Sequence, residues 1–259
     1  MSSDPGFDRF HDFFTTKLEL TVEVIPRTNE KTADAFVNGE SPGYAVELKA
    51  RCNRENFASD LTKGDPFGVI EKPDFDGWVI KQARDALKQL ASNDPLHSRI
   101  WVMWIDTTGR TETGLGFEQV VGTVFGIQKC MDWQFKGYEC IQAHYSLFEQ
   151  FPKLDIIVVR DAGMALCVDE ESVRFGVISS SKLFKHFASL GDVFTVSSLQ
   201  QQQHGYLAID PNVVDRTLES SVQEYFEKAY NLRGVQMCDI RSYVYSMQLP
   251  PRVPMGTGS

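Results

Sequence analysis

The chain has 259 residues, with 26 Lys plus Arg against 35 Asp plus Glu and a net charge of −9. This length buries one large core or two modest ones, and the acidity argues against a tight, autonomous binder of polyanions. No apolar run approaches a membrane span and the opening Met-Ser-Ser-Asp-Pro is unlike a signal peptide, so the expectation is a soluble cytoplasmic protein with no membrane partner.

In chain order, Phe7, Phe10, Phe14 and Leu18 recur at helical spacing and predict an amphipathic first helix. Asp8 and Asp12 lie four apart on it, with His11 between them. Acids in a helix's first turns ordinarily serve its positive end. Next comes a β-hairpin signal, with Thr32 to Val37 and Tyr44 to Ala50 flanking the turn cluster Asn38-Gly39-Glu40-Ser41-Pro42-Gly43. Side chains alternate on a strand, so Glu47 and Lys49 project to one side while Val46 and Leu48 project to the other. Asp34, thirteen residues before Glu47, would sit on the partner strand near it.

Two carboxylates and an ammonium in a small volume suit hydrolysis of a phosphodiester. Mg²⁺ prefers oxygen ligands, usually one or two carboxylates completed by water and substrate phosphate. Asp34 and Glu47 would supply the carboxylates and the Leu48 carbonyl a further oxygen. Lys49 would position the attacking water and stabilise negative charge in the transition state. The competing expectation is structural, because a Glu-x-Lys pair on a half-exposed strand is commonly a surface ion pair.

A loop of about thirty residues follows, a length typical of binding loops or tethers. It contains Pro73-Asp74, which follows the Glu-x-Lys strand and is discounted as a metal site. Ile80, Ala83, Leu87 and Leu90 then mark a helix that packs on a sheet. Gln82, Lys81, Arg84 and Lys88 flank that stripe, and Arg99 to Asp106 reads as a buried strand. Arg51, Arg54, Lys63, Lys72, Lys81, Arg84 and Lys88 crowd the motif region. They are candidate nucleic-acid contacts or ordinary solubilising surface.

The order helix, strand, Asp-bearing strand, Glu-x-Lys strand, helix, strand resembles the restriction-endonuclease-like superfamily, the PD-(D/E)xK nucleases, over roughly residues 5 to 107. The resemblance implies an α/β fold with an αβββαβ core, a mixed central sheet flanked by helices, and Mg²⁺ (or Mn²⁺) as cofactor. It implies Asp34 and Glu47 as metal ligands, Lys49 as the water-positioning group and Gln82 as the helix glutamine near the metal. Asp12 is the optional extra acid, in preference to Asp8. The implied activity is cleavage of nucleic acid, DNA in preference to RNA, by a Mg-dependent endonuclease. The alternative is an inactive nuclease-fold module in a homodimer or larger complex. Ala33 stands where the motif name has Pro, and Ala86 stands where one branch of exonucleases has Tyr.

The division expected is a nuclease-like core over 5–110, a C-terminal extension over 111–248 packed on it, and a disordered tail over 249–259. In the extension, Phe117 to Gln128 reads as a helix. Tyr138 to Tyr145, Leu154 to Arg160 and Leu166 to Asp169 read as strands that continue the sheet. Ser180 to Leu190 and Thr217 to Leu232 read as helices, and Gln200 to Gln203 as an exposed loop. Asp155 and Asp169 are expected to be solvated strand ends, and His97, His144, His186 and His204 lack partners at ligand spacing. The five cysteines Cys52, Cys130, Cys140, Cys167 and Cys238 have no zinc spacing; reduced thiols are expected, with Cys130–Cys140 pairing as the alternative. No Gly-x-Ser-x-Gly elbow, P-loop or His-Glu-x-x-His helix occurs, and Gly114 to Gly116 marks a turn.

Overall fold

Every residue of the strand Ile100–Asp106 is buried, and the rest of the molecule is arranged around it. The computed structural model describes residues 5–26, 32–50, 75–107, 117–161, 163–202 and 206–238. Its strands are β1 (Thr21–Val24), β2 (Ala35–Asn38), β3 (Tyr44–Ala50), β4 (Ile100–Asp106), β5 (Gln128–Met131) and β6 (Gly137–Ile141). They continue with β7 (Ile156–Arg160), β8 (Met164–Val168), β9 (Val193–Phe194), β10 (Tyr206–Ala208) and β11 (Gln236–Cys238). The helices are α1 (Pro5–Asp12), α2 (Phe75–Asn93), α3 (Phe117–Phe125) and α4 (Leu147–Gln150), then α5 (Phe175–Ser180), α6 (Lys182–Leu190), α7 (Val196–Gln202) and α8 (Glu219–Ala229). A π-helical turn, Phe13–Lys17, prolongs α1.

Seven strands form a mixed sheet in the order β1-β2-β3-β4-β7-β8-β9. The first three make an antiparallel meander, while β3, β4 and β7 run parallel. A parallel neighbour cannot be reached by a tight turn, so the chain crosses over through α2 between β3 and β4. On one face, Ala45, Trp101, Met103, Ile157 and Val159 pack against Val79, Ala83, Ala86 and Leu90 of α2 and Val120 and Val124 of α3. On the other, Val46, Val102, Trp104 and Val158 meet Phe10, Phe13 and Phe14 near the N-terminus and Leu183 and Phe187 of α6. Helices on both faces explain why β4 and β7 are apolar without alternation.

The α2 stripe is rotated slightly from the expected one. Val79, Ala83, Ala86 and Leu90 are fully buried, and Ile80 and Leu87 flank them. Further along, β7 and β8 extend the sheet as expected, but the strand around Tyr138 does not. It belongs to a second sheet, β10-β6-β5-β11, closed over by α8 through Val222 and Phe226. Gln128, expected to end a helix, instead opens its strand β5. Residues 200–202 lie in α7 and not in a loop, because Leu199 anchors that helix in the core. The segment 180–190 divides at Ser181, whose hydroxyl caps α6 by accepting from the Phe184 N–H. Residues 51–74 and 239–259, which include Arg51, Arg54, Cys52, Pro73-Asp74 and the Pro- and Gly-rich tail, lie outside the described residues. No helix among the described residues is long and apolar enough to cross a membrane.

Candidate functional site

Regular pairing of β2 with β3 ends at Ala35 opposite Val46. One residue earlier, Asp34 is held by both neighbours: its N–H donates to the Val46 carbonyl at 3.1 Å, and its carbonyl accepts from the Ile25 N–H at 3.0 Å. Its carboxylate then continues the ladder where backbone pairing stops, with Oδ2 accepting from the Leu48 N–H at 2.8 Å. The N–H and C=O of one strand residue point to the same edge, so the Leu48 carbonyl is directed towards the Asp34 side. The half-buried Asp34 carboxylate is thereby fixed against the peptide that joins Glu47 to Leu48.

Glu47 is 2 % exposed, and Lys49 Nζ donates to its Oε1 at 2.6 Å. Both side chains leave β3 on the α2 face, as strand alternation requires. Lys49 Nζ also donates to Gln89 Oε1 at 3.0 Å. The Gln89 amide donates in turn to the Thr32 carbonyl, and Asn93 Oδ1 accepts from the Ala33 N–H at 2.8 Å. Two polar side chains at the end of α2 thus position both the ammonium and the segment that delivers Asp34. A carboxylate this deeply buried needs its cation nearby, since removing one partner of such a pair costs about 3–5 kcal/mol.

Two bonded pairs therefore share this end of β3: Asp34 with the Leu48 N–H, and Lys49 with Glu47. The helix glutamine that touches Lys49 is Gln89, not Gln82. Gln82 lies half-buried on the same side of α2, about two turns earlier. Lys81 and Arg84 are exposed on α2, where they remain accessible to a polyanion. Asp12 is exposed and its Oδ1 accepts from Thr16 Oγ1. Its helix packs on the face of the sheet opposite Glu47 and Lys49, and Asp8 occupies the first turn of α1. Arg9 of the same helix pairs with the buried Asp106 at the end of β4, at 2.9 Å. Gln89 was missed because a polar residue on a helix flank carries no local sign of its non-local partner. Its spacing of seven from Gln82 places both on one side and was the available clue.

No group of three or more His, Cys, Asp or Glu gathers as a metal site among the described residues. The described donors are two carboxylates and one strand carbonyl. That set suits a hard cation that retains several waters, and it does not suit a cage made wholly of protein ligands.

One other acid departs from expectation. Asp155 is buried and not a solvated strand end. Its carboxylate accepts from the Trp101 N–H at 2.8 Å and pairs with His97 Nε2 at 2.7 Å and Arg174 Nε at 2.9 Å. His97 therefore has a partner, and its ring also lies against Trp101. Asp94 closes the adjacent turn. Burial, the largest single influence, pushes its pKa up, but donation from the Arg99 N–H, Trp101 Nε1 and the Ser98 hydroxyl and N–H overrides this and holds it at about 2. Asp169 accepts from the Glu171 N–H, and burial raises its pKa. Asp155 and Asp94 are structural supports for the start of β4, each bonded to Trp101. Cys130 Sγ lies 2.9 Å from Cys140 Sγ across β5 and β6, both buried. Comparison with protein-family models, with curated proteins and with solved structures found no match for the chain.

Proposed function

We propose that the chain is a divalent-metal-dependent phosphodiesterase of the restriction-endonuclease-like class, cutting DNA as an endonuclease. The observation that carries the proposal is the Asp34 carboxylate bonded to the Leu48 N–H at the open end of the β2–β3 ladder, next in sequence to the Glu47–Lys49 ion pair. Supporting it, the element order α1, β1, β2, β3, α2, β4 is the αβββαβ order of that class. In this reading Asp34 and Glu47 hold Mg²⁺ or Mn²⁺ together with the Leu48 carbonyl. The metal, when bound, supplies acidified water and neutralises phosphate charge. Lys49 orients the attacking water and stabilises negative charge developing on the phosphoryl oxygens. Gln89, by bonding Lys49, keeps the ammonium aimed, and exposed Lys81 and Arg84 steer the polyanion to the site.

The two-carboxylate donor set and the net charge of −9 favour a second reading, a nuclease-fold module without cleavage that acts inside a complex or homodimer. Plasmid DNA and RNA incubated with the purified chain, with Mg²⁺, with Mn²⁺ and with chelator, separate the two. Metal-dependent cleavage that chelator abolishes is the expected result. Intact substrate under every condition, with a correctly folded chain, favours the module.

A further inference from the structure

The hairpin between β5 and β6 presents two large aromatic rings to solvent, Trp133 at 62 % and Phe135 at 84 % exposure. This tip is built to hold them. Asp132 Oδ1 accepts from the Gln134 and Lys136 N–H groups, and its Oδ2 accepts from the Tyr138 hydroxyl. The Trp133 N–H donates to the Arg233 carbonyl at 2.9 Å, and Gly234 approaches the Trp133 Cβ so closely that a methyl there would stand 3.2 Å from it. Phe135 has φ of +61°, a conformation that bulky residues rarely adopt. Its ring gains almost no burial in return, and such strain without packing compensation points to use of the ring outside the fold.

The charges at the tip select the partner. Lys136 and Arg233 are exposed at this tip on a chain that is otherwise acidic, the Lys136 ammonium 5.1 Å from the centroid of the Tyr138 ring, and the carboxylate of Asp132 is turned inward onto three donors. Two exposed aromatic rings with exposed cations on the same tip match a polymer of stacked bases and phosphates better than an apolar protein surface. We propose that the 132–137 tip is a stacking platform for single-stranded nucleic acid, with Trp133 and Phe135 accepting unpaired bases and Lys136 and Arg233 the adjoining phosphates. The choice of polymer rests on the nuclease reading above; the geometry of the tip does not.

Binding of fluorescent oligo(dT) and oligo(U) of about twenty nucleotides, measured by anisotropy in chelator so that nothing is cut, tests this. The intact chain binds, and the double variant Trp133→Ala/Phe135→Ala loses about tenfold or more in affinity. Trp133→Phe retains most of it, and Lys136→Ala flattens the dependence on salt. Both rings are exposed, so the double variant keeps its circular dichroism and melting temperature. Equal affinity of variant and parent, or no binding of either oligomer by the parent, overturns the platform. So does a change of oligomeric state in the double variant with oligomer affinity unaltered, which assigns the tip to protein contact. Binding that needs the rings in a chain that never cleaves supports the platform and removes the nuclease reading, whereas cleavage with ring-independent binding does the reverse.

Discussion

Lys49 illustrates how one side chain serves both stability and chemistry. Its ammonium is 2.6 Å from a carboxylate that is almost wholly removed from water, so its charge matters to folding before any substrate arrives. Lys49→Met is expected to destabilise the chain by about 3 kcal/mol, because Glu47 is left charged and buried. Adding Glu47→Gln to that variant should recover part of the loss, and denaturant unfolding of the two single variants and the double reads the coupling. A purely additive result would mean that the pair does not interact. Asp94 gives a second test. Its carboxyl is held at about 2, below its ordinary value, so the group stabilises the fold fully above the unfolded pKa. That contribution is lost as pH falls from about 4 through about 2, and amounts to about 2 kcal/mol. In Asp94→Asn this part of the acid transition should vanish, leaving a chain that is less stable at neutral pH and changes less on acidification. An unchanged acid profile would show that Asp94 is not the group titrating.

At the scale of elements, the turn from α3 into β5 admits no side chain. Gly126 has φ of +61°, and a Cβ there would stand 2.1 Å from the His144 carbonyl oxygen. Gly126→Ala should therefore cost more than about 2 kcal/mol in thermal or denaturant unfolding. Gly122, inside α3, has no atom within 4 Å of a built Cβ, and Gly122→Ala should gain about 0.5–1 kcal/mol from helix propensity. The elements also show what could be read from the chain alone. The unbroken apolar run of β4 and β7 announced strands covered on both faces, and the Glu-x-Lys strand was legible from alternation around a turn cluster. The second sheet was not. Its strand β5 is Gln-Lys-Cys-Met, with a single fully buried position, and β10 and β11 are three residues each, too short to show a period. The Gln-rich stretch hid a helix, since one buried leucine anchors it and polar residues face outward. Asp155, His97 and Arg174 come together across 58 and 77 positions of sequence, a juxtaposition that no local pattern reports.

The whole molecule places the candidate site at the end of β3 where β2 begins, with the parallel neighbours β3, β4 and β7 all ending on that side. Open α/β sheets offer crevices outside the carboxyl ends of their parallel strands. Here Lys49, Asp106 and Arg160 occupy those ends, with Arg9 held by Asp106. The net charge of −9 means that approach of a polyanion must rely on local cations and bound metal and not on a favourable overall field. Cleavage is accordingly expected to weaken only shallowly as salt rises, because the slope scales with the number of phosphate contacts and salt also screens the repulsion from the acidic surface.

The most direct measurement compares the chain with Asp34→Asn in a single plasmid-cleavage assay with Mg²⁺ or Mn²⁺, alongside melting without metal. Asparagine retains an oxygen to accept the Leu48 N–H but loses the charge that would bind a cation. The account predicts an unaltered melting temperature and cleavage reduced by at least about a hundredfold. Equal cleavage by both chains, or none by the parent with either metal, would contradict it.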